Sequence, residues 1–448
     1  MGMAAVELWL DKVSGWVWGP WLLVLLFGTH IFLTIRLGFI QRFTPRAIRM
    51  SLERRHEGEG DISHFGALMT ALAATIGTGN IVGVATAVAL GGPGAVLWMW
   101  LTGVFGIATK YGEAVLSVHY RIVTPEGKMA GGPMYVLERG MKMKWLGVVF
   151  AALTSVAAFG IGNMVQANSI SELAHETFGT PTGVTGAILA ACTALVILGG
   201  IHSIARVCEL LVPFMAITYV LGCTVLLAMH AGQIPETLWL IVSCAFTPHA
   251  AAGGLTGAGI MMAMRWGVAR GLFSNESGLG SAPIVAAAAQ TTHPVRQALV
   301  SSTGTFWDTV VVCAMTGLVV VNSGEWQNSL NGASLTKAAF SDVPIIGPLV
   351  LTLGLLTFVF STILGWSYYG EKAIEYLFGI KAILPYRIAW VVAVFVGSVT
   401  SLKAVWSFAD IANGLMAIPN LISLIVLSPV IVALTREHLW EGEAVEKP

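Results

Sequence analysis

The sequence predicts an all-α integral membrane protein of about 11 transmembrane helices. We expect a 5+5 inverted repeat with broken first helices, preceded by one extra N-terminal helix. Three observations support this fold class. Of the 448 residues, 56% are hydrophobic and only 11% are charged, whereas soluble proteins carry about 25% charged residues. Apolar runs long enough to cross a bilayer recur along the chain, and glycines and polar residues interrupt two of them.

The composition also excludes several classes of function. So few charged residues rule out a soluble domain and a disordered chain. Lysine and arginine together number 24, as do aspartate and glutamate, so no basic surface for nucleic acid is expected. No nucleophile, metal or carboxylate constellation typical of a membrane enzyme stands out. The sequence therefore indicates a membrane protein that is not an enzyme.

A spanning helix needs about 20 mostly apolar residues. Runs of this kind lie at 15–39, 64–90, 94–119, 145–170, 181–200, 208–229, 256–288, 298–322, 346–369, 387–404 and 407–434. The first run is the extra helix. The other ten form two sets of five, which we assign to repeats at 64–229 and 230–434, between an N-terminal unit at 1–63 and a tail at 435–448.

The loop charges predict the orientation. With the N-terminus outside and the C-terminus in the cytoplasm, seventeen lysines and arginines fall on the cytoplasmic side and three on the other. This is the bias that cytoplasmic loops of membrane proteins show. We therefore expect a multi-pass protein of the cell membrane in this orientation.

The second run contains an interruption, Gly77-Thr78-Gly79-Asn80, near its middle. One explanation is close helix packing, with Gly79 and Gly83 as a pair of small residues. The other is a broken helix whose bare backbone binds a ligand, because such residues are costly in lipid without a function.

The seventh run contains a second interruption, at residues 273–283, with Gly, Asn, Pro and the ionisable Glu276. Each interrupted run is the first helix of its set of five. Interrupted helices in corresponding positions of two halves indicate a transporter with inverted repeats and a site at the repeat interface. The pair favours the ligand-binding explanation for both.

Three segments resemble the signatures of the alanine/glycine:cation symporter family: ATIGTGNIVGVA at 74–85, GGPMYV at 131–136 and FSNESGLGSAP at 273–283. The span count and loop charges are similar over essentially the whole chain. The resemblance implies a fold of the leucine-transporter type, with the extra helix in front. It also implies Na⁺-coupled symport of alanine or glycine.

The first break offers backbone N–H groups to a carboxylate. Gly77, Thr78 and Gly79 form its centre, and Gly79 has no Cβ to obstruct a ligand. Thr75 and Asn80 are close enough to add a hydroxyl and an amide, although Asn80 could equally cap the following half-helix. The resemblance agrees, because this stretch matches the carboxylate-binding break of the fold.

The second break supplies the remaining substrate contacts. Carbonyl groups of Phe273, Ser274 and Asn275 are expected to face the substrate ammonium and to cover its side chain.

The ninth run carries a candidate cation site. The hydroxyls of Ser361 and Thr362 and the carbonyl of Phe358 suit a small hard cation, although such hydroxyls often bond only to the preceding turn. The resemblance implies a Na⁺ site here, with carbonyl ligands from Ala73 and Ile76.

Gln166 and Trp366 complete the candidate site. Gln166 lies in the fourth run and could pack against a neighbouring helix or touch the ligand; the resemblance favours ligand contact, ahead of Asn163. Trp366 follows Thr362 by one turn and could either wall the pocket or serve only in packing.

Ionisable residues inside the membrane are functional candidates. Glu276 and Asp308 qualify. Glu276 could pair with Arg265 or Arg270, or cap its half-helix.

Lys110 and Glu113 lie three residues apart on one helix, a spacing that predicts a local ion pair.

The sequence thus predicts a secondary active transporter, with a monomeric functional unit, that imports alanine or glycine with Na⁺ across the lipid bilayer. One alternative is an H⁺-coupled carrier of the same fold with a different small substrate, in which Glu276 or Asp308 carries the proton. The other is an ion channel, but no continuous polar stripe or repeated pore motif supports it.

Cysteines that replace Arg46 and Arg139 should react with an impermeant thiol reagent only from the cytoplasmic side, because both positions lie in loops of the positively charged set. The measurement is labelling in intact and in permeabilised cells. Reaction of either cysteine in intact cells would contradict the orientation.

Overall fold

A computed structural model describes residues 3–53, 58–247, 259–330, 332–400 and 403–440. These residues are almost entirely helical. The first helices are α1 Met3–Val17, α2 Pro20–Arg36, α3 Thr44–Leu52, α4 His64–Thr75, α5 Val84–Gly91, α6 Gly94–His119 and α7 Pro133–Tyr135. Next come α8 Lys144–Phe159, α9 Val165–Phe178, α10 Thr182–Ile197, α11 Gly200–Met229, α12 Ile234–Phe246, α13 Gly259–Asn275 and α14 Pro283–Ala286. The last are α15 Pro294–Thr305, α16 Ala314–Asn322, α17 Gly332–Ser341, α18 Ile346–Phe378, α19 Ile383–Val399, α20 Lys403–Val426 and α21 Ser428–Thr435.

Short irregular helices and one hairpin connect these elements. The π-helical segments are Gly79–Gly83, Val136–Gly140, Gly160–Met164, Phe306–Cys313 and Arg436–Trp440. The 3₁₀ turns are Ile40–Phe43, Ala231–Gln233, Glu325–Gln327 and Ile380–Ala382. Strands β1 Ile122–Val123 and β2 Met129–Ala130 pair antiparallel, with Ile122 opposite Ala130.

The all-α membrane fold is confirmed. Within the described ranges, seven helices are long and apolar enough to cross a bilayer, and the bent pair His64–Thr75 with Gly79–Gly91 is an eighth candidate. The remaining three expected spans coincide with α6, with α10 and with α13 plus α14. Each has a helix where the sequence places one, and the count of 11 stays a prediction. The ends of two expected spans, 256–258 and 401–402, lie outside the described residues, as do Arg54 and Arg55.

Burial follows the pattern of a membrane protein. Large apolar side chains such as Leu195 and Leu210 are about four-fifths exposed (78% and 80%), which would be costly in water. Polar side chains such as Asn80, Gln166 and Asp308 are fully buried instead. The molecule thus turns apolar surface outward and concentrates its polar groups inside.

The first expected break is present. Helix α4 is capped at Ser63, whose Oγ accepts a hydrogen bond from the N–H of Gly66, and it ends at Thr75. Ile76 is extended, and the chain resumes as the π-helical segment Gly79–Gly83 and then α5. The two half-helices meet at an angle of 53°.

The second expected break is present as well. Helix α13 ends at Asn275, and the chain turns through Glu276, Gly278 and Gly280, which all have positive φ (56°, 92° and 84°). Glycine adopts this conformation without cost, whereas it costs a glutamate of the order of 1 kcal/mol or more. The short α14 then begins at Pro283.

Neighbouring helices hold the two broken helices side by side. Helix α4 packs between α11 and α18, whereas α13 packs against α6 and α5. Helix α2, from the extra first span, packs on α6, and α1 packs on α20. Four helices that the sequence analysis did not assign lie between expected spans: α3, α7, α12 and α17.

Candidate binding site between the two broken helices

The first break makes two polar contacts through its backbone N–H groups. The N–H of Gly77 donates to Oδ1 of Asn80 at 2.8 Å, and the N–H of Thr78 donates to Oε1 of Gln166 at 3.3 Å. The other end of the Gln166 amide donates to the carbonyl of Ile161. Gln166 therefore lies at the break, and it contacts one of the N–H groups that the sequence assigned to a carboxylate.

Two glycines of this break stand where a side chain would collide. A Cβ on Gly77 would lie 2.5 Å from Oγ1 of Thr362 and 3.3 Å from Oε1 of Gln166. A Cβ on Gly79 would lie 3.0 Å from the ring of Phe273 in the second break. The absence of both side chains lets three helices approach the same few backbone atoms.

Asp308 connects the two breaks. Its carboxylate accepts hydrogen bonds from Nδ2 of Asn80 at 2.7 Å, from Oγ of Ser274 at 2.9 Å and from Oγ1 of Thr309 at 2.7 Å. Nδ2 of Asn275 donates to the same threonine at 3.0 Å. The sequence indicated Asp308 only as an ionisable residue in a span, and the contacts with Asn80 and Ser274 could not be read from it.

The candidate cation site brings together oxygens from both helices that the sequence named. Oγ1 of Thr362 lies 3.2 Å from the carbonyl oxygen of Ile76 and 2.9 Å from that of Phe358. Oγ of Ser361 bonds to the same Phe358 carbonyl at 2.9 Å and contacts Sδ of Met215. Both hydroxyls therefore bond to the preceding turn, and Thr362 also reaches the break. Ala73 is buried on the preceding turn of α4.

Aromatic side chains surround the breaks. Phe273 lies against Gly79 and stacks on Trp406, with ring centroids 5.7 Å apart. Trp366 is buried and packs closely on the backbone of Gly162, where a Cβ would lie only 2.2 Å away. The packing role of Trp366 is therefore present, and its role as a pocket wall stays a prediction.

Glu113 has partners other than the expected one. Its Oε1 accepts hydrogen bonds from the N–H groups of Gly278 and Gly280, both at 3.0 Å, and from Nδ2 of Asn420 at 2.6 Å. Nζ of Lys110 has no hydrogen-bond partner among the described residues. The prediction of a local Lys110–Glu113 pair is wrong, because the unpaired N–H groups of the second break bind the carboxylate more directly.

Among the described residues, Glu276 has no arginine as an ion-pair partner. Oε2 of Glu276 accepts from Oγ of Ser281 at 2.6 Å, within the linker that precedes α14. Arg270 instead pairs with Asp410 of α20 at 3.3 Å. Glu276 accepts from the Ser281 hydroxyl and not from a backbone group at the start of α14, so neither the arginine pair nor the helix cap that the sequence offered is present in the part of the chain that the structure describes.

Known proteins resemble the chain over nearly its whole length. A family model described as the sodium:alanine symporter family matches residues 3–448. A sodium/alanine symporter of Methanococcus maripaludis is 56% identical over 438 residues, which cover 95% of this chain and 96% of the relative. A probable sodium/glutamine symporter of Bacillus subtilis is 37% identical over 437 residues, covering 96% and 90%.

Solved structures share the fold at low sequence identity. MhsT in complex with L-phenylalanine matches with a TM-score of 0.54 at 14% identity, over 84% of this chain and 98% of that one. A Na⁺-coupled sialic acid symporter matches with a TM-score of 0.52 at 11% identity, over 94% and 86%.

Gly77→Ala should abolish uptake and destabilise the protein by about 1–3 kcal/mol, because its Cβ would collide with Thr362 in a packed interior. Gly28→Ala in α2 is the matched control, since its Cβ would meet no atom within 4 Å. Transport and thermal unfolding of both variants in detergent give the comparison. Equal behaviour of the two would show that the close approach at Gly77 is unimportant.

Proposed function

The chain belongs to the sodium:alanine symporter family, and on that premise we propose that it imports small neutral amino acids, alanine and glycine, together with Na⁺. It is a multi-pass membrane transporter and not an enzyme. The two relatives described above are named for alanine and for glutamine, so family membership leaves the size of the side chain open. The substrate therefore depends on the residues of this chain's own site.

The first break is the proposed carboxylate site. The N–H of Thr78 points at an amide oxygen of Gln166, so an acceptor already occupies the position that a substrate carboxylate would take. A carboxylate is the stronger acceptor, because charge-assisted hydrogen bonds contribute roughly 1.5–3 kcal/mol against about 1 for neutral pairs. On binding, the Gln166 amide would turn and donate its NH₂ group to the carboxylate. Thr75, Gly77, Gly79 and Asn80 complete this side of the site.

The second break is the proposed ammonium site. Ser274 and Asn80 hold the Asp308 carboxylate between the breaks, so negative charge lies beside the position proposed for the carboxylate of the substrate. Carbonyls of Phe273, Ser274 and Asn275 would add acceptors. An α-amino acid carries one anionic and one cationic group on the same carbon, and the adjoining breaks offer N–H donors to the first and a carboxylate and carbonyls to the second.

The proposed Na⁺ ligands are the oxygens around Thr362, with carbonyls of Ala73, Ile76 and Phe358 and the hydroxyl of Ser361. Small hard cations prefer such oxygen ligands. The observation that carries the proposal is that Ile76 and Thr78 lie two residues apart in one break. The carbonyl of Ile76 lies beside Thr362, and the N–H of Thr78 faces the carboxylate position. Each ligand would thus order the segment that the other binds, which couples their affinities.

The arrangement in the membrane is part of the proposal. The N-terminus lies outside and the C-terminus inside, and residues 64–229 and 230–434 are the two repeats. The proposed functional unit is a monomer.

Coupling to H⁺ is the second candidate. Asp308 favours it, because a buried carboxylate that bonds to both breaks could carry a proton between the two sides. Uptake of labelled alanine into proteoliposomes distinguishes the candidates. We expect accumulation with an inward Na⁺ gradient, and none with a pH gradient alone. Accumulation driven by the pH gradient without Na⁺ would replace the first candidate by the second.

Thr362→Ala should raise the Na⁺ concentration for half-maximal uptake at least tenfold, because a dry site cannot readily replace a lost oxygen ligand. Alanine affinity should fall with it, since the two binding free energies are linked. Thr357→Ala is the control: Thr357 lies on the same helix, and its hydroxyl bonds only to the carbonyls of Leu353 and Gly354. An unchanged Na⁺ dependence in Thr362→Ala would remove this residue from the ion site.

The site should require an α-carboxylate and a small side chain. Alaninamide leaves the N–H of Thr78 without a charged acceptor and should compete weakly with alanine. An extra methylene gains about 0.8 kcal/mol by burial, whereas overpacking near Phe273 and Trp366 costs about 1–3 kcal/mol. Unlabelled glycine should therefore inhibit alanine uptake, leucine and phenylalanine should not, and Trp366→Ala should admit larger substrates.

Competition by the same panel of analogues tests each part separately. Strong inhibition by alaninamide would contradict the carboxylate contact. Strong inhibition of the unmodified protein by phenylalanine would contradict the size limit.

A further inference from the structure

We propose that Lys110 forms a second site for the substrate carboxylate, on the cytoplasmic side of the breaks, where the amino acid binds as it leaves the first site. The inference rests on the proposed function, because it assumes that the cargo is an amino acid. It adds a step to the transport path and a residue to the machinery.

A small internal cavity adjoins the two breaks on the side assigned to the cytoplasm. The half-helices α4 and α14, which adjoin the loops assigned to the cytoplasm, both contribute to its wall. Ala71 and Thr75 come from α4, and Ala286 comes from α14. Lys110 of α6 and Ser301 of α15 complete its polar lining. Thr75 belongs to the proposed substrate site, so the cavity begins where that site ends.

Lys110 is the one lining residue with a basic side chain. It is 3% exposed, and its Nζ has no hydrogen-bond partner and no ion pair among the described residues. Leaving such a donor unsatisfied inside a membrane protein is costly. An amine of this kind, aimed into a cavity on the transport path, is suited to an anionic group that is present for only part of the cycle.

Three buried carboxylates lie near Lys110 but form no ion pair or hydrogen bond with it. Glu113, Glu276 and Asp308 all interact with it electrostatically, and none lies within ion-pair distance. Each already accepts hydrogen bonds from other groups: the linker N–H groups and Asn420 for Glu113, Ser281 for Glu276, and both breaks for Asp308. The donors of Lys110 therefore stay free for a carboxylate that enters the cavity.

The cavity and the proposed Na⁺ site lie on different sides of α4. The proposed Na⁺ ligands lie where α4 meets α18, whereas the cavity lies between α4, α6, α14 and α15. The amino acid and the ion would thus leave along different sides of α4.

The path beyond the cavity is closed by contacts that we call the cytoplasmic clasp, formed by residues 59–62, residues 288–291 and Arg121. The N–H of Gln290 donates to the carbonyl of Ile62 at 2.7 Å, and the N–H of Asp61 donates to that of Ala288 at 2.8 Å. The Arg121 guanidinium donates to carbonyls on both sides of the clasp. The cavity has room for little more than a water molecule, so the clasp must open and the half-helices must separate before alanine binds there.

The test compares the two faces of the membrane. Half-saturation of alanine exchange is measured in right-side-out and in inside-out vesicles, for the unmodified protein and for Lys110→Met. Loss of a charge-assisted contact should raise the cytoplasmic value about tenfold to a hundredfold and the extracellular value less than twofold. Lys110→Arg should restore the cytoplasmic value in large part.

Two further variants keep the result interpretable. Lys372→Met removes another buried lysine, one that pairs with Glu375, and should not separate the two faces. Ala286→Leu fills the cavity without touching the charge, and it should raise the cytoplasmic half-saturation even if Lys110→Met fails to fold.

Several outcomes would overturn the inference. Equal shifts at both faces would make Lys110 a structural counter-charge. An unchanged cytoplasmic value in Lys110→Met, or in Ala286→Leu if the lysine variant does not fold, would remove the site. A cytoplasmic half-saturation that depends on chloride, when gluconate replaces it, would assign Lys110 to an inorganic anion instead. If the unmodified protein transported no alanine from either side of the membrane, the proposed function itself would be contradicted. That result differs from the three outcomes above, each of which requires alanine transport by the unmodified protein.

Discussion

The structure depends on one constraint, namely that backbone polar groups released by a broken helix must find partners inside the protein, because lipid offers none. The first break meets this requirement with Asn80 of its own span and Gln166 of another, and the second with Glu113 of another span, which accepts twice. The positions of α6, α9 and α20 around the breaks follow from these contacts, since each must bring one polar side chain to a particular peptide group.

The two breaks differ in how firmly they are held. The Glu113 carboxylate of α6 and the Asn420 amide of α20 fix the second break, and Asn420 donates both to that carboxylate and to the carbonyl of Gly278. The N–H groups of Gly77 and Thr78 in the first break are held only by neutral amide oxygens of Asn80 and Gln166, and the contact to Gln166 is long at 3.3 Å. In the proposed site, a carboxylate bound at the first break would exchange a weak contact for a stronger one, whereas the second break would keep its shape. This division suits a site in which one side must respond to the ion and the other must keep its shape.

Much of this arrangement could be predicted from the sequence, because its signals are local. Glycines and amides in the middle of apolar runs predicted the positions of both breaks. The family resemblance predicted that Thr362 lies beside Ile76, as it does in the structure. The partners of Glu113 could not be found that way. Asn420 is 307 residues away from Glu113 in the chain. Lys110 lies three residues before Glu113, a spacing that predicts an ion pair on a helix surface, but the N–H groups of Gly278 and Gly280 bind this carboxylate instead. Asp308 was noticed for its charge, yet only the fold shows that it reaches Asn80, 228 residues earlier in the chain.

The pairing of residues 59–62 with residues 288–291 has a consequence for biosynthesis. The first proposed five-helix unit is synthesised before residue 288, so residues 59–62 lack residues 288–291 to pair with at that stage. Asn80 is likewise without Asp308, and Gly77 without the helix that carries Thr362. The nascent chain must therefore hold polar peptide groups near water or in the insertion machinery until the second unit arrives. We therefore expect assembly of the two halves to be slower than insertion of single helices.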